Sequence, residues 1–156
     1  MEQRETGWQI VRVVNYRAYL EAVQTASTAD ISRYIEATRP IVDRYNGVFR
    51  SSQRTFRSLT ETPWSTYTTE RRKALISLLQ EDMIPVLKKY QRELDAVEVP
   101  RAAQYLAAQR KAATEASIAS YESFVKGLDK GMPEDFARAE TLHKKALTYD
   151  LRVGDM

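Results

Sequence analysis

The stretch at residues 69–97, TERRKALISLLQEDMIPVLKKYQRELDAV, decides the fold. Its apolar residues recur in steps of three and four, which places them in one stripe along an α-helix: Leu75, Ile76, Leu79, Met83, Val86, Leu87, Tyr90, Leu94 and Val97. Charged residues such as Arg72, Glu81 and Lys88 occupy the opposite face. Because one amphipathic helix cannot bury its stripe alone, other segments must supply partners.

The same periodicity continues on both sides of this stretch. Upstream, residues 31–56 form a predicted helix that begins after the capping signal STAD at residues 27–30. Residues 8–26 predict a separate helix, since no second strand is available for their β-branched beginning to pair with. Residues 60–68, TETPWSTYT, predict a loop whose Trp64 and Tyr67 fold back onto the bundle. Downstream, helices are predicted from Pro100 to about residue 128 and over residues 134–153.

These segments predict an all-α fold, an up-and-down bundle of four long helices with a fifth, N-terminal helix. Residues 8–153 are expected to form one domain, and residues 1–7 a flexible tail. Pro40 and Pro85 each remove a backbone donor from a helix interior, so kinks are expected at both. The predicted buried stripe of the last helix includes Phe136, Leu142 and His143.

Two ten-residue segments resemble each other. Residues 36–45, EATRPIVDRY, and residues 81–90, EDMIPVLKKY, share Glu, Pro and Tyr at matching offsets. A duplicated hairpin would place two kinked helices side by side. Chance similarity between two amphipathic helices explains the same pattern.

The composition is that of a soluble globular protein, with 43% hydrophobic and 29% charged residues. A net charge of +3 is only weak evidence for an anionic partner. The absence of cysteine excludes disulfides and thiolate chemistry. The sequence contains no apolar run of about 18 residues, so no membrane span is predicted. Its start, MEQRETGW, lacks the pattern of a signal peptide.

Few residues indicate catalysis. His143 is the only histidine, and Glu140 precedes it at the Glu-x-x-His spacing of metal sites in helical bundles. Since that motif occurs once, no metal site and no cofactor are predicted. An enzyme is therefore the third hypothesis, and it depends on His143 alone.

Two sets of side chains suggest binding sites. The first is a ligand pocket between the kinked helices, formed by Tyr34, Tyr45, Tyr90, Tyr121, Pro40 and Pro85. The second is an anion-binding face for nucleic acid or an anionic membrane, formed by Arg50, Arg54, Arg57, Arg71 and Arg72. The alternatives are core-edge tyrosines and an ordinary solvated face.

Residues 34–45, 94–100 and 124–131 resemble a broad group of uncharacterised bacterial helical domains, many of them exported or lipid-anchored. The resemblance covers about residues 31–150, but Gln104 and Tyr105 stand where a histidine is frequent in that group. It implies a cell-envelope setting and transfers no catalytic residue.

The sequence therefore predicts a non-enzymatic interaction or ligand-sensing domain, the soluble part of a membrane-tethered protein if the resemblance holds. A protein partner, a small ligand and a homo-oligomer formed through the helix faces all remain open. The alternative function is a basic scaffold that binds nucleic acid or anionic lipid through the arginine face.

Overall fold

The computed structural model describes the backbone of residues 6–154 and the side chains of residues 24–152. Its helices are α1 (Thr6–Leu59), α2 (Thr69–Ser77), α3 (Ile84–Asp95), α4 (Gln104–Lys130) and α5 (Pro133–Gly154). A π-helical segment, Leu78–Met83, joins α2 to α3, and short 3₁₀ turns lie at Trp64–Thr66 and Arg101–Ala103. The residues described contain no strand, so the all-α prediction is confirmed.

The expected separate N-terminal helix is wrong, because α1 continues without a break through residues 27–30. The side chains on which the predicted cap was based form hydrogen bonds and ion pairs along the helix instead. Thr28 Oγ1 donates to the carbonyl of Gln24 at 2.9 Å, and Asp30 pairs with Arg33. Most of the predicted tail, residues 1–7, lies outside the described residues, and α1 begins at Thr6. None of the described helices has a stretch long and apolar enough to cross a membrane.

The continuous helical stretch formed by α2, the π-helical segment and α3, called the central helix here, accommodates Pro85 by widening one turn. The amide of Ile84 bonds to the carbonyl of Leu79, five residues back, immediately before the proline. This geometry suits the sequence, because Leu75, Leu79 and Met83 are spaced by four and drift about 40° per step around an ordinary α-helix. All three side chains are fully buried.

Side-chain pairs define the helix directions. Arg44 on α1 pairs with Glu93 on α3 at 2.6 Å, and Tyr45 stacks on Tyr90 with ring centroids 4.1 Å apart. The two segments that resemble each other therefore lie side by side and antiparallel. On α4, Arg110 reaches Thr38 and Tyr121 approaches Phe49, so α1 and α4 run parallel.

The apolar core has two parts. The larger lies between α1, the central helix, α4 and the start of α5 and includes Phe49, Tyr67, Leu75, Leu79, Met83, Leu87 and Leu128. The smaller joins α1 to the beginning of α4 through Tyr34, Ala103 and Leu106.

Helix α5 folds back on α4 across a tight connection. Gly131 ends α4 in the left-handed conformation, at φ 69°, and its amide bonds to the carbonyl of Gly127 at 2.7 Å. Gly127 itself faces Phe136: a Cβ atom placed there would lie 3.0 Å from the ring. The absence of a side chain at Gly127 therefore permits the aromatic ring to sit against the backbone of α4.

Two glycine substitutions should have opposite effects on stability. Gly47→Ala lies in an exposed part of α1 with nothing within 4 Å of the new Cβ atom, so its better helix propensity should stabilise the fold by about 0.5–1 kcal/mol. Gly127→Ala gains the same propensity but forces Phe136 away from its neighbours, and should destabilise the fold by roughly 1 kcal/mol or more. Urea unfolding followed by circular dichroism measures both, and a stabilised Gly127→Ala protein would contradict this packing argument.

Candidate functional site: a groove between α1 and α5

An open groove separates α1 from α5. Among the described residues, no Cα atom of α1 lies within 8 Å of a Cα atom of α4 or α5. Side chains from α4 and the central helix form the floor of the groove. It has two parts, an aromatic cleft of about 560 Å³ and a polar chamber of about 320 Å³, and Gln53 lines both.

The aromatic cleft lies at the end where α1 finishes and α5 begins. Six rings line it: Phe56, Trp64, Tyr67, Tyr121, Phe124 and Phe136. Phe136 stacks on Trp64 with centroids 4.6 Å apart and planes 13° apart, and it meets Phe124 edge-on at 5.2 Å. Phe56 continues the chain of rings, with centroids 5.5 Å from Phe124 and 5.6 Å from Tyr121. The rings of the wall are therefore connected by aromatic contacts, and each ring restricts the orientation of its neighbours.

The loop between α1 and α2 places two of these rings. Pro63 starts the 3₁₀ turn, and the Thr66 hydroxyl donates to its carbonyl at 2.6 Å. Thr68 then caps α2 by accepting from the amide of Arg71. As a result Tyr67 is buried and Trp64 is half-buried. The prediction that both residues fold back onto the bundle is confirmed.

Polar side chains line the rim of the cleft. Arg57 on α1 and His143 on α5 make no hydrogen bond or ion pair through their side chains within the described part of the chain. Glu140, by contrast, pairs with Lys144 at 3.2 Å. His143 is exposed, so its expected place in the buried stripe of the last helix is wrong, whereas Ala139 and Ala146, predicted in the same stripe, are buried.

The residues predicted to form one ligand pocket are divided among several places. Tyr45 and Tyr90 line the polar chamber, Tyr121 lines the aromatic cleft, and Tyr34 belongs to the smaller core. Pro40 and Pro85 are exposed and line neither part of the groove.

The arginine face is also divided. Arg50, Arg54 and Arg57 are exposed along α1. Arg71 is half-buried, donates to Thr62 Oγ1 at 2.9 Å and lies over the Tyr67 ring at 5.8 Å. The guanidinium of Arg72 faces Gly131, at the end of α4.

Several residues of the groove were not predicted as site residues. Phe136, Arg110 and Asp150 each line it, but their own segments indicate only helix periodicity. For Phe136, Gly127 and the tight turn at Gly131 were signals that a large side chain meets a bare backbone. No local pattern marks Arg110 or Asp150, since their placement depends on how three helices meet.

Comparison of the chain with protein-family profiles, with curated proteins and with solved structures found no match. The fold and the site together define a class of protein, an all-α bundle with an open groove between two of its helices.

Ionisation of the groove tyrosines should make the protein labile in alkali. Burial raises the pKa of Tyr121 to about 12. Burial, together with Tyr121, Tyr90 and Asp150, raises the pKa of Tyr45 above its ordinary value. An unfolded chain ionises its tyrosines near pH 10. The contribution of these protonated phenols to the free energy of unfolding is therefore complete below about pH 10, and it is lost as the pH rises to about 12 and beyond. The melting temperature of a Tyr45→Phe/Tyr121→Phe protein should therefore fall less over that pH range than the melting temperature of the wild-type protein.

The matched control is Tyr105→Phe, since Tyr105 is 60% exposed. Its melting temperature should follow that of the wild-type protein at every pH. A double variant as labile in alkali as the wild type would show that these two phenols do not control the transition.

Proposed function

We propose that this protein is a non-enzymatic ligand-binding bundle whose binding site is the aromatic cleft. The observation that carries the proposal is a volume of about 560 Å³ that lies open between six aromatic rings. Sites for small molecules typically have about 300–1,000 Å³ and are lined by apolar and aromatic side chains with a few polar groups. The cleft has that size and that composition.

The geometry of the rings favours a planar, mostly apolar ligand. Trp64 and Phe136 are stacked, while Phe56 and Phe124 meet edge to face. A flat ligand gains both offset-stacked and edge-on contacts from such a wall. Burying its apolar area would contribute about 25 cal/mol per Å² before the cost of immobilisation is subtracted.

The rim favours an acidic group on that ligand. Arg57 has no anionic partner among the described residues, and the carboxylate of Glu140 is already paired with Lys144. A ligand carboxylate would therefore meet an available guanidinium, which binds carboxylates in a two-pronged geometry. The proposed ligand class is a planar aromatic carboxylic acid.

Filling the cleft should abolish binding. In the Ala137→Trp variant an indole would occupy the cleft, because Ala137 is exposed on α5 and lines it. Indole-3-acetate and 1-naphthoate serve as probes in isothermal titration calorimetry. We expect saturable binding to the wild-type protein and a loss of about tenfold or more in the variant. The control is Thr141→Trp, an exposed position on the same helix that does not line the cleft; it should bind as the wild type does.

Removing the positive charge of Arg57 at the rim should weaken binding less than the Ala137→Trp substitution does. Arg57→Gln should raise the dissociation constant of both acids by about fivefold, roughly 1 kcal/mol. Arg54→Gln, three residues away on the same helix and outside the cleft, should leave it unchanged. No saturable binding of either acid at millimolar concentration, or equal binding by the Ala137→Trp protein, would refute the proposed site.

The basic scaffold is the second candidate, and a specific observation favours it. The side chains of Arg50, Arg54 and Arg57 are exposed and make no ion pair within the described part of the chain. A polyanion such as a single-stranded oligonucleotide would contact all three, so Arg54→Gln and Arg57→Gln would weaken its binding equally and reduce its dependence on salt. The aromatic-acid site instead requires the two variants to differ.

A further inference from the structure

The polar chamber differs in chemistry from the aromatic cleft. It lies between the middle of α1, α3, α4 and the end of α5, and its volume is about 320 Å³. Arg110 on α4 and Asp150 on α5 both line it. The stacked rings of Tyr45 and Tyr90 lie beside them.

Arg110 holds a charge that no carboxylate neutralises. Its guanidinium is half-buried, donates to Thr38 Oγ1 at 2.9 Å and lies 5.7 Å from the centroid of the Tyr34 ring. Within the described part of the chain it makes no ion pair, since no carboxylate oxygen lies within 4.0 Å of it. A guanidinium has five N–H donors, so most of them are free for a ligand.

Asp150 is the acidic residue of the chamber. Asp150 is exposed, lines the chamber and forms no ion pair with any described residue. Partial burial raises the pKa of this carboxyl, and the neighbouring His143 opposes that change.

Tyr90 lines the same chamber, and its phenol is influenced by both charged groups. Burial raises its pKa, the charge of Arg110 lowers it and the charge of Asp150 raises it. Both charged groups therefore act on one hydroxyl while lying more than 4.0 Å from each other. The chamber presents a cation and an anion separated by a gap.

We propose that the polar chamber binds a zwitterionic α-amino acid. The ligand carboxylate pairs with Arg110, and its ammonium group pairs with Asp150. Apolar contacts come from Tyr45, Phe49 and Leu87, which also line the chamber, so an apolar or aromatic side chain on the ligand fits best. Such a ligand supplies both counter-charges at once, whereas a simple acid or a simple amine leaves one protein charge unmatched.

The test uses four compounds of similar shape or charge in isothermal titration calorimetry. L-phenylalanine and L-leucine carry both charges, 3-phenylpropanoate lacks the ammonium group, and 2-phenylethylamine lacks the carboxylate. We expect saturable binding of the amino acids and dissociation constants at least about tenfold higher for the two single-charge compounds. No binding of any standard amino acid at millimolar concentration would overturn the proposal.

Matched variants locate the site. Asp150→Asn and Arg110→Gln should each weaken binding of L-phenylalanine by about tenfold or more. Asp129→Asn and Arg101→Gln, exposed and outside the chamber, should leave it unchanged. Since Arg110 also contacts Thr38, its variant is informative only if its unfolding curve is normal; Asp150 is exposed, so Asp150→Asn provides the test in either case.

A further comparison separates this site from the aromatic cleft. Ala137→Trp fills the cleft and should not change binding of L-phenylalanine. If Ala137→Trp abolished that binding while Asp150→Asn left it intact, the amino acid would occupy the cleft and the assignment to the polar chamber would be wrong.

Discussion

The contact between Phe136 and the bare backbone at Gly127 is the constraint on which the groove depends. Among the described residues, the backbone of α5 closely approaches that of α4 and not that of α1. Phe136 fixes the position of α5 at one end because it lies against Gly127, stacks on Trp64 and meets Phe124 edge-on. The loop before α2 and the start of α5 are thereby joined, and the space between α1 and α5 stays open instead of collapsing.

That open space has two chemistries because the helices carry different residues along their length. Near the end of α1 the facing side chains are aromatic, and the Ser120 hydroxyl in the floor is already used by the carbonyl of Ala139 at 2.6 Å. Toward the middle of α1 the facing side chains also include aliphatic hydroxyls, amides, a guanidinium and a carboxylate. Under the two proposals, one groove would discriminate ligands by planarity at one end and by charge pattern at the other.

The helices were predictable from the sequence because a three-four repeat is a local property. The buried stripe of Leu75, Leu79 and Met83 follows from such a pattern. The start signal at residues 27–30 misled, because Thr28 and Asp30 have bonding partners within a helix as well as at its start. The site was much less predictable: Arg110 and Asp150 come together only through the packing of α4 and α5, which no short pattern encodes.

The hydroxyl of Thr38 links the two halves of this arrangement. It is fully buried, donates to the carbonyls of Tyr34 and Ile35 and accepts from Arg110. These bonds support α1 just before Pro40, where the helix has lost a backbone donor. Any event that draws the guanidinium of Arg110 away removes a bond from that turn, so a ligand that paired with Arg110 in the proposed site would also change the stiffness of α1.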